Sequence, residues 1–219
     1  MIASRQAIAP PRNDDVLFLK SDHSPSRMDS ATPGASQCAF LQVLMSGLID
    51  AFLANARGAA ATVERIAGSP PAVRAAVLSA VRDSRAIVLG PGEFLPNEVL
   101  NALCELPGLV HEPSDEALST ADTGITSAFA GIASSGSVCI AMGPPLAAAT
   151  SLLMPLHIVL LRAGRIVERP RDLFSPTCLG GEGLHRNLVL ITGPSATADM
   201  GPLVRGVHGP HRLQIFVLE

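Results

Sequence analysis

Residues 188–200 read Leu-Val-Leu-Ile-Thr-Gly-Pro-Ser-Ala-Thr-Ala-Asp-Met. An apolar, buried strand that ends at Gly193, turns through Pro194 and enters a helix at Ser195 or Thr197 would gather free backbone N–H groups and the positive end of a helix dipole. Such a turn can hold an anion. The same residues suit a structural turn, in which Ser195 and Thr197 cap the helix and Asp199 favours its first turn. The local pattern leaves both readings open.

Downstream, Gly206-Val207-His208-Gly209-Pro210-His211 sets two imidazoles beside two glycines. A histidine on a tight glycine loop can carry a proton or contact an anion near neutral pH, and it can equally be a turn residue bonded to backbone. Both stay open for His208, whereas His211 reads as a turn residue. A further turn, Ile132-Ala133-Ser134-Ser135-Gly136-Ser137, supplies small hydroxyls and a glycine that lets a ligand approach the backbone; an ordinary turn would look the same. His157, after Met154-Pro155-Leu156, reads as either a core histidine or a site residue. The candidate ligand-binding set is Gly193, Pro194, Ser195, Thr197, Asp199, His208 and Gly209, with Ser135, Gly136 and Ser137 opposite. Its natural guest is a small anion, a carboxylate or a phosphate. No catalytic residue is assigned.

Cys38, Cys104, Cys139 and Cys178 are far apart, and none forms a C-x-x-C pair or a zinc or iron–sulfur pattern. They read as reduced, buried thiols, so no metal and no cofactor is expected. Gly180-Gly181-Glu182-Gly183 and Gly90-Pro91-Gly92 match neither a dinucleotide nor a P-loop signature.

The elements that must position these residues alternate. Residues 38–56 carry apolar side chains at helical spacing, and this helix would pack on the domain or on a partner. Residues 61–66 read as a strand, 71–82 as a helix opened by proline, 86–89 as a buried strand, 97–106 as a helix, Leu109-Val110 as a short strand, and 114–118 as a turn of helix capped by Ser114. That rhythm implies a parallel sheet covered by helices. Strands follow at 124–129, 136–142 and 155–161, and Arg162-Ala163-Gly164-Arg165 reads as a hairpin turn into Ile166-Val167. Residues 172–179 read as a weak helix, 187–192 as an apolar strand, 197–205 as a short helix and 212–218 as the last strand. The fold class is therefore α/β, with a mixed, mostly parallel sheet.

The chain has 219 residues, 47% hydrophobic and 16% charged, enough for one α/β domain with a filled core. Residues 1–36 are rich in Pro, Ser, Asp and Arg and read as a flexible N-terminal arm, with the domain at 37–219. Deleting the arm should shift the melting temperature little; loss of cooperative unfolding would mean that the apolar run at 16–19 is docked. A net charge of -3, 3% aromatic residues and no Trp or Tyr argue against nucleic acid as a partner. No membrane span or leader is read, so the expected location is cytoplasmic.

Taken in order, the segments at 132–137, 154–157, 193–200 and 206–210 resemble those of the LUD-domain family, the lactate-utilisation C proteins; the last two are the specific ones. The similarity runs over residues 85–218. It implies a fold similar to the sugar-phosphate isomerase and CoA-transferase superfamily (NagB/RpiA/CoA-transferase-like). It also implies an accessory or ligand-binding subunit in the oxidation of L-lactate to pyruvate, alongside iron–sulfur partner proteins. Fold analogy alone supports an alternative, a stand-alone enzyme or binding protein for a small phosphorylated or acyl substrate. Where the family usually carries an acid and a threonine in the first turn, this chain has Ser134 and Ser135. Ala196 and Gly201 likewise stand where an arginine and an acid are usual.

Overall fold

The computed structural model describes residues 35–143, 145–179, 187–198 and 201–219. Its centre is built from the least polar runs of the sequence. Strand β6 (Leu156–Arg162) is buried at every position but its last, and β11 (Arg212–Leu218) is buried over its final four. Side chains alternate between the two faces of a strand, so a run this apolar must be covered on both sides. The two strands lie side by side in a five-stranded sheet with β1 (Thr62–Ile66), β3 (Thr123–Ser127) and β2 (Ile87–Leu89), in the order β1-β11-β6-β3-β2. Every neighbouring pair in it is parallel.

One face of this sheet presents Ile125, Ile158, Leu160 and Phe216 to helices α2 (Pro70–Ala80) and α3 (Asn97–Cys104), which bury Val73, Val77, Val99 and Leu103 there. Helix α2 begins with two prolines, where a missing N–H costs nothing. Helix α4 (Asp115–Thr120) is capped by Ser114, whose hydroxyl accepts from the Ala117 N–H. The opposite face presents Val63, Val159, Leu161, Ile215 and Val217 to helix α1 (Ala35–Gly58). In the second half of α1, Ile49, Phe52, Leu53 and Ala56 are buried, whereas Val43 and Leu44, nearer its start, are exposed.

A second sheet has the order β7-β4-β5-β8, from β4 (Ala130–Ile132), β5 (Ser137–Ala141), β7 (Ile166–Val167) and β8 (Leu188–Ile191). The α/β class holds, and the mixed character expected of one sheet is divided between two, one wholly parallel and one mainly antiparallel. Helix α5 (Pro145–Leu152) covers β3 beside it.

Several local expectations are corrected. Among the described residues of the 197–205 stretch there is no helix; β9 (Ala196–Thr197) and β10 (Val204–Arg205) pair antiparallel instead. The run at 187–192 is an edge strand, and Val189 and Leu190 are exposed. Arg162-Ala163-Gly164-Arg165 is no hairpin turn, because a 3-10 turn over Ala163–Arg165 sends β7 into the second sheet, parallel to β4. Leu109 makes one isolated bridge to Ile87 rather than a strand. The weak helix at 172–179 is a 3-10 turn, Pro170–Phe174, followed by the short α6 (Pro176–Leu179). No helix among the described residues is long and apolar enough to cross a membrane.

Candidate functional site

Two loops meet where β8 ends. Gly193 turns the chain there with φ +72°, and a Cβ at that position would lie 2.0 Å from the Ala59 carbonyl oxygen. Only glycine fits both the left-handed backbone and that approach to the end of α1. The chain then runs antiparallel to the 206–210 loop. The Ser195 N–H donates to the Pro210 carbonyl and the Gly206 N–H donates to the Ser195 carbonyl, each at 2.9 Å. The loops are close enough that a Cβ on Gly209 would sit 3.2 Å from Ser195 Cβ.

A cleft of about 380 Å³ opens between these loops, the end of α5 and the first residues of β6 and β11. Gly193, Pro194, Ser195, His208 and Gly209 all line it, so the two motifs share one cavity. Its walls are mixed: Leu152, Val189, Leu190 and Leu213 supply apolar surface, and Ser195, His157, Thr192 and His208 supply polar surface. His157 reaches it from β6 and is fully buried. Thr126 Oγ1 and His157 Nε2 share a hydrogen bond of 2.8 Å, while His157 Nδ1 has no partner among the described residues. Burial pushes this imidazole down to about 3, so it is neutral in the folded protein at ordinary pH.

The cleft lies at the amino ends of the parallel strands β6 and β11, not at the carboxyl ends where open α/β sheets usually bind. The expected helix N-terminus after Pro194 is absent, and the Ser195 N–H is already engaged, so these cannot hold an anion. What remains polar is the Ser195 hydroxyl, which has no hydrogen bond among the described residues, the His208 ring and His157 Nδ1. These can donate to or accept from one small polar group held in the cleft.

The other candidates lie elsewhere. Thr197 is on β9, paired with Val204, and does not line the cleft. Asp199 lies outside the described residues. The 135–137 turn does not line the cleft and touches it only through Thr192. Ser135 Oγ and Ser137 Oγ are 2.7 Å apart, and Ser137 Oγ and Thr192 Oγ1 are 2.6 Å apart. Gly136 packs on α1 at Ala56. In the sequence, His157 reads equally as a core histidine or a site residue. The available signal was a polar residue opening an otherwise unbroken apolar strand, which a buried structural histidine would give as well.

The sequence pattern of the LUD domain family matches residues 106–218. An uncharacterized protein of Neisseria meningitidis serogroup B is 32% identical over 98 residues, 44% of this chain and 42% of that protein. Lactate utilization protein C of Halalkalibacterium halodurans is 36% identical over 103 residues, 45% of each chain. The matched part thus spans under half the length of these curated relatives. The crystal structure of a DUF162 family protein from Deinococcus radiodurans superposes with a TM-score of 0.58 at 18% identity, over 80% of this chain and 98% of that one, which is a likeness of fold.

Proposed function

Since the chain belongs to the LUD domain family, we propose that it is a lactate-utilisation-related protein that binds a small carboxylate in the cleft between Ser195 and His208. The observation that carries this reading is the meeting of the two family-like motifs in one cavity over a buried, half-satisfied histidine. In the cleft, the Ser195 hydroxyl donates to the carboxylate, His208 adds a second donor at the mouth, and His157 Nδ1 meets a hydroxyl or keto oxygen deeper in. Leu152, Leu190 and Leu213 enclose the short carbon chain. In this reading the chain is an accessory or ligand-binding subunit whose iron–sulfur partner subunits take the electrons from the oxidation of L-lactate to pyruvate; the likeness to lactate utilization protein C supports the lactate part of it.

Calorimetric titration with L-lactate, pyruvate and acetate tests the binding step. Ser195→Ala should weaken L-lactate by roughly tenfold, the usual effect of losing a hydrogen bond to a charged group. Equal affinities in the wild type and the variant would remove the serine from the site. Co-purification of the chain with a cysteine-rich partner expressed alongside it tests the assembly separately.

A further inference from the structure

The carboxyl edge of the parallel sheet carries a second cavity, of about 670 Å³, well apart in the fold from the cleft at the amino edge. It opens beside the last residue of the central strand, Arg162, and beyond the 3-10 turn it is lined by Arg165. Among the described residues, neither arginine has a carboxylate within ion-pair distance. Two carboxylates do line the cavity, and both are held by other groups. Glu168 pairs with Arg169 at 3.1 Å, and Asp172 accepts from the Arg169 N–H at 2.9 Å and lies 3.7 Å from Arg171.

Arg165 is also fixed in place. Its guanidinium stands 5.2 Å from the Phe94 ring centre and 5.7 Å from that of Phe129, and the rings themselves meet edge to face at 5.4 Å. One of its N–H groups donates to the Phe129 carbonyl at 3.2 Å. That leaves most of a planar, five-donor fork immobilised and without a counter-ion. A cation restrained in this way gives up little side-chain entropy when an anion arrives. Arg162 is exposed and makes no side-chain hydrogen bond or ion pair among the described residues. It can swing to the same guest. Ser175 and Thr177 add hydroxyls to the wall.

From this geometry we infer that Arg162 and Arg165 form a binding site for a phosphate dianion, free or carried by a small phosphate monoester. Two uncompensated guanidiniums match two negative charges, and tetrahedral oxygens accept fork-like pairs of N–H bonds. A monocarboxylate satisfies only one of the two. The open edge of an α/β sheet at strand carboxyl ends is also where such ligands gather. This site does not depend on the carboxylate cleft.

Titration calorimetry of the full chain at low ionic strength, with inorganic phosphate, glycerol 3-phosphate and acetate as probes, tests it. Both phosphates should bind saturably, and acetate about tenfold more weakly. Binding of glycerol 3-phosphate tighter than that of inorganic phosphate would identify a monoester site, and the reverse order a site for the free ion. Arg162→Gln should weaken phosphate by about tenfold, and Arg165→Lys, which keeps the charge and loses the fork, by a similar factor. Ser195→Ala should leave phosphate binding unchanged. Phosphate affinity insensitive to both arginine variants, phosphate affinity lost in Ser195→Ala, or acetate binding as tightly as phosphate would overturn the inference. If Arg165→Lys disturbs the Phe94–Phe129 packing, Arg162→Gln decides alone, because that side chain has no such contacts to lose.

Discussion

Gly124→Ala should lower the melting temperature by several degrees and weaken carboxylate binding, although residue 124 is not in the cleft. Gly124 stands beside His157 in the register of β3 and β6, on the face that α5 covers. A Cβ there would lie 1.9 Å from the Thr150 carbonyl oxygen and 2.9 Å from Thr150 Cγ2. The first of these is a backbone atom, which no rotamer change can move aside, so the whole helix must retreat. Forcing a methyl group into a packed interior costs typically about 1 to 3 kcal/mol. The next residues of α5, Ser151 and Leu152, form a wall of the cleft. A helix displaced at Thr150 shifts that wall, so binding should weaken along with stability. Thermal unfolding and an L-lactate titration of the same variant check both parts. A variant as stable as the wild type would show that α5 sits more loosely on β3 than these distances state.

The same packing explains which parts of the fold could be read from sequence. Strands β6 and β11, helices α2 and α3 and the cap at Ser114 announce themselves through apolar runs, period 3.6 and residue types that act locally. Helix α5 does not. Its sequence, Pro-Leu-Ala-Ala-Ala-Thr-Ser-Leu, has no apolar stripe, since it docks by close approach of small residues to Gly124, with Thr150 and Ser151 hydroxyls returned to carbonyls within the helix. The β9–β10 pair reads as helix in the sequence for a related reason: two-residue strands are too short to show alternation, and what fixes them is the clamp between Ser195 and the 206–210 loop. That β8 is an edge strand was equally out of reach, because apolar content says nothing about which neighbour is missing.

For the candidate site, the residue types were legible and their neighbours were not. Ser195, His208 and Gly209 come together, yet through a backbone clamp rather than a helix terminus. The 135–137 turn has hydroxyl and glycine chemistry suited to a ligand and spends it on Thr192 and α1. Arg162 and Arg165 read as a turn, and only the stacking of Phe94 and Phe129 distinguishes Arg165 from an ordinary surface arginine.

His157 should make the protein less stable as the pH falls from about 6.5 toward 3. In the unfolded chain this imidazole takes up a proton near its ordinary value of 6.5, whereas burial holds the folded form neutral down to about 3. Above 6.5 neither state is protonated, and the folded state keeps its full advantage. Between the two values the unfolded state alone gains the proton, so stability falls with pH at up to about 1.4 kcal/mol per unit. The total is on the order of a few kcal/mol, and it levels off once the folded form protonates as well. Other groups of the chain also change charge over part of this range. A paired variant separates them. His157→Leu removes the titration and leaves Thr126 Oγ1 unpaired, so it should be less stable than the wild type at pH 7.5 by about 1 to 3 kcal/mol. Its stability should nevertheless depend less on pH between 6.5 and 4.5, so the two curves converge as the solution is acidified. Urea unfolding at pH 7.5, 6.5, 5.5 and 4.5 gives both curves. Parallel curves would show that the folded imidazole titrates as it does in water, which is incompatible with a fully buried His157 hydrogen-bonded to Thr126.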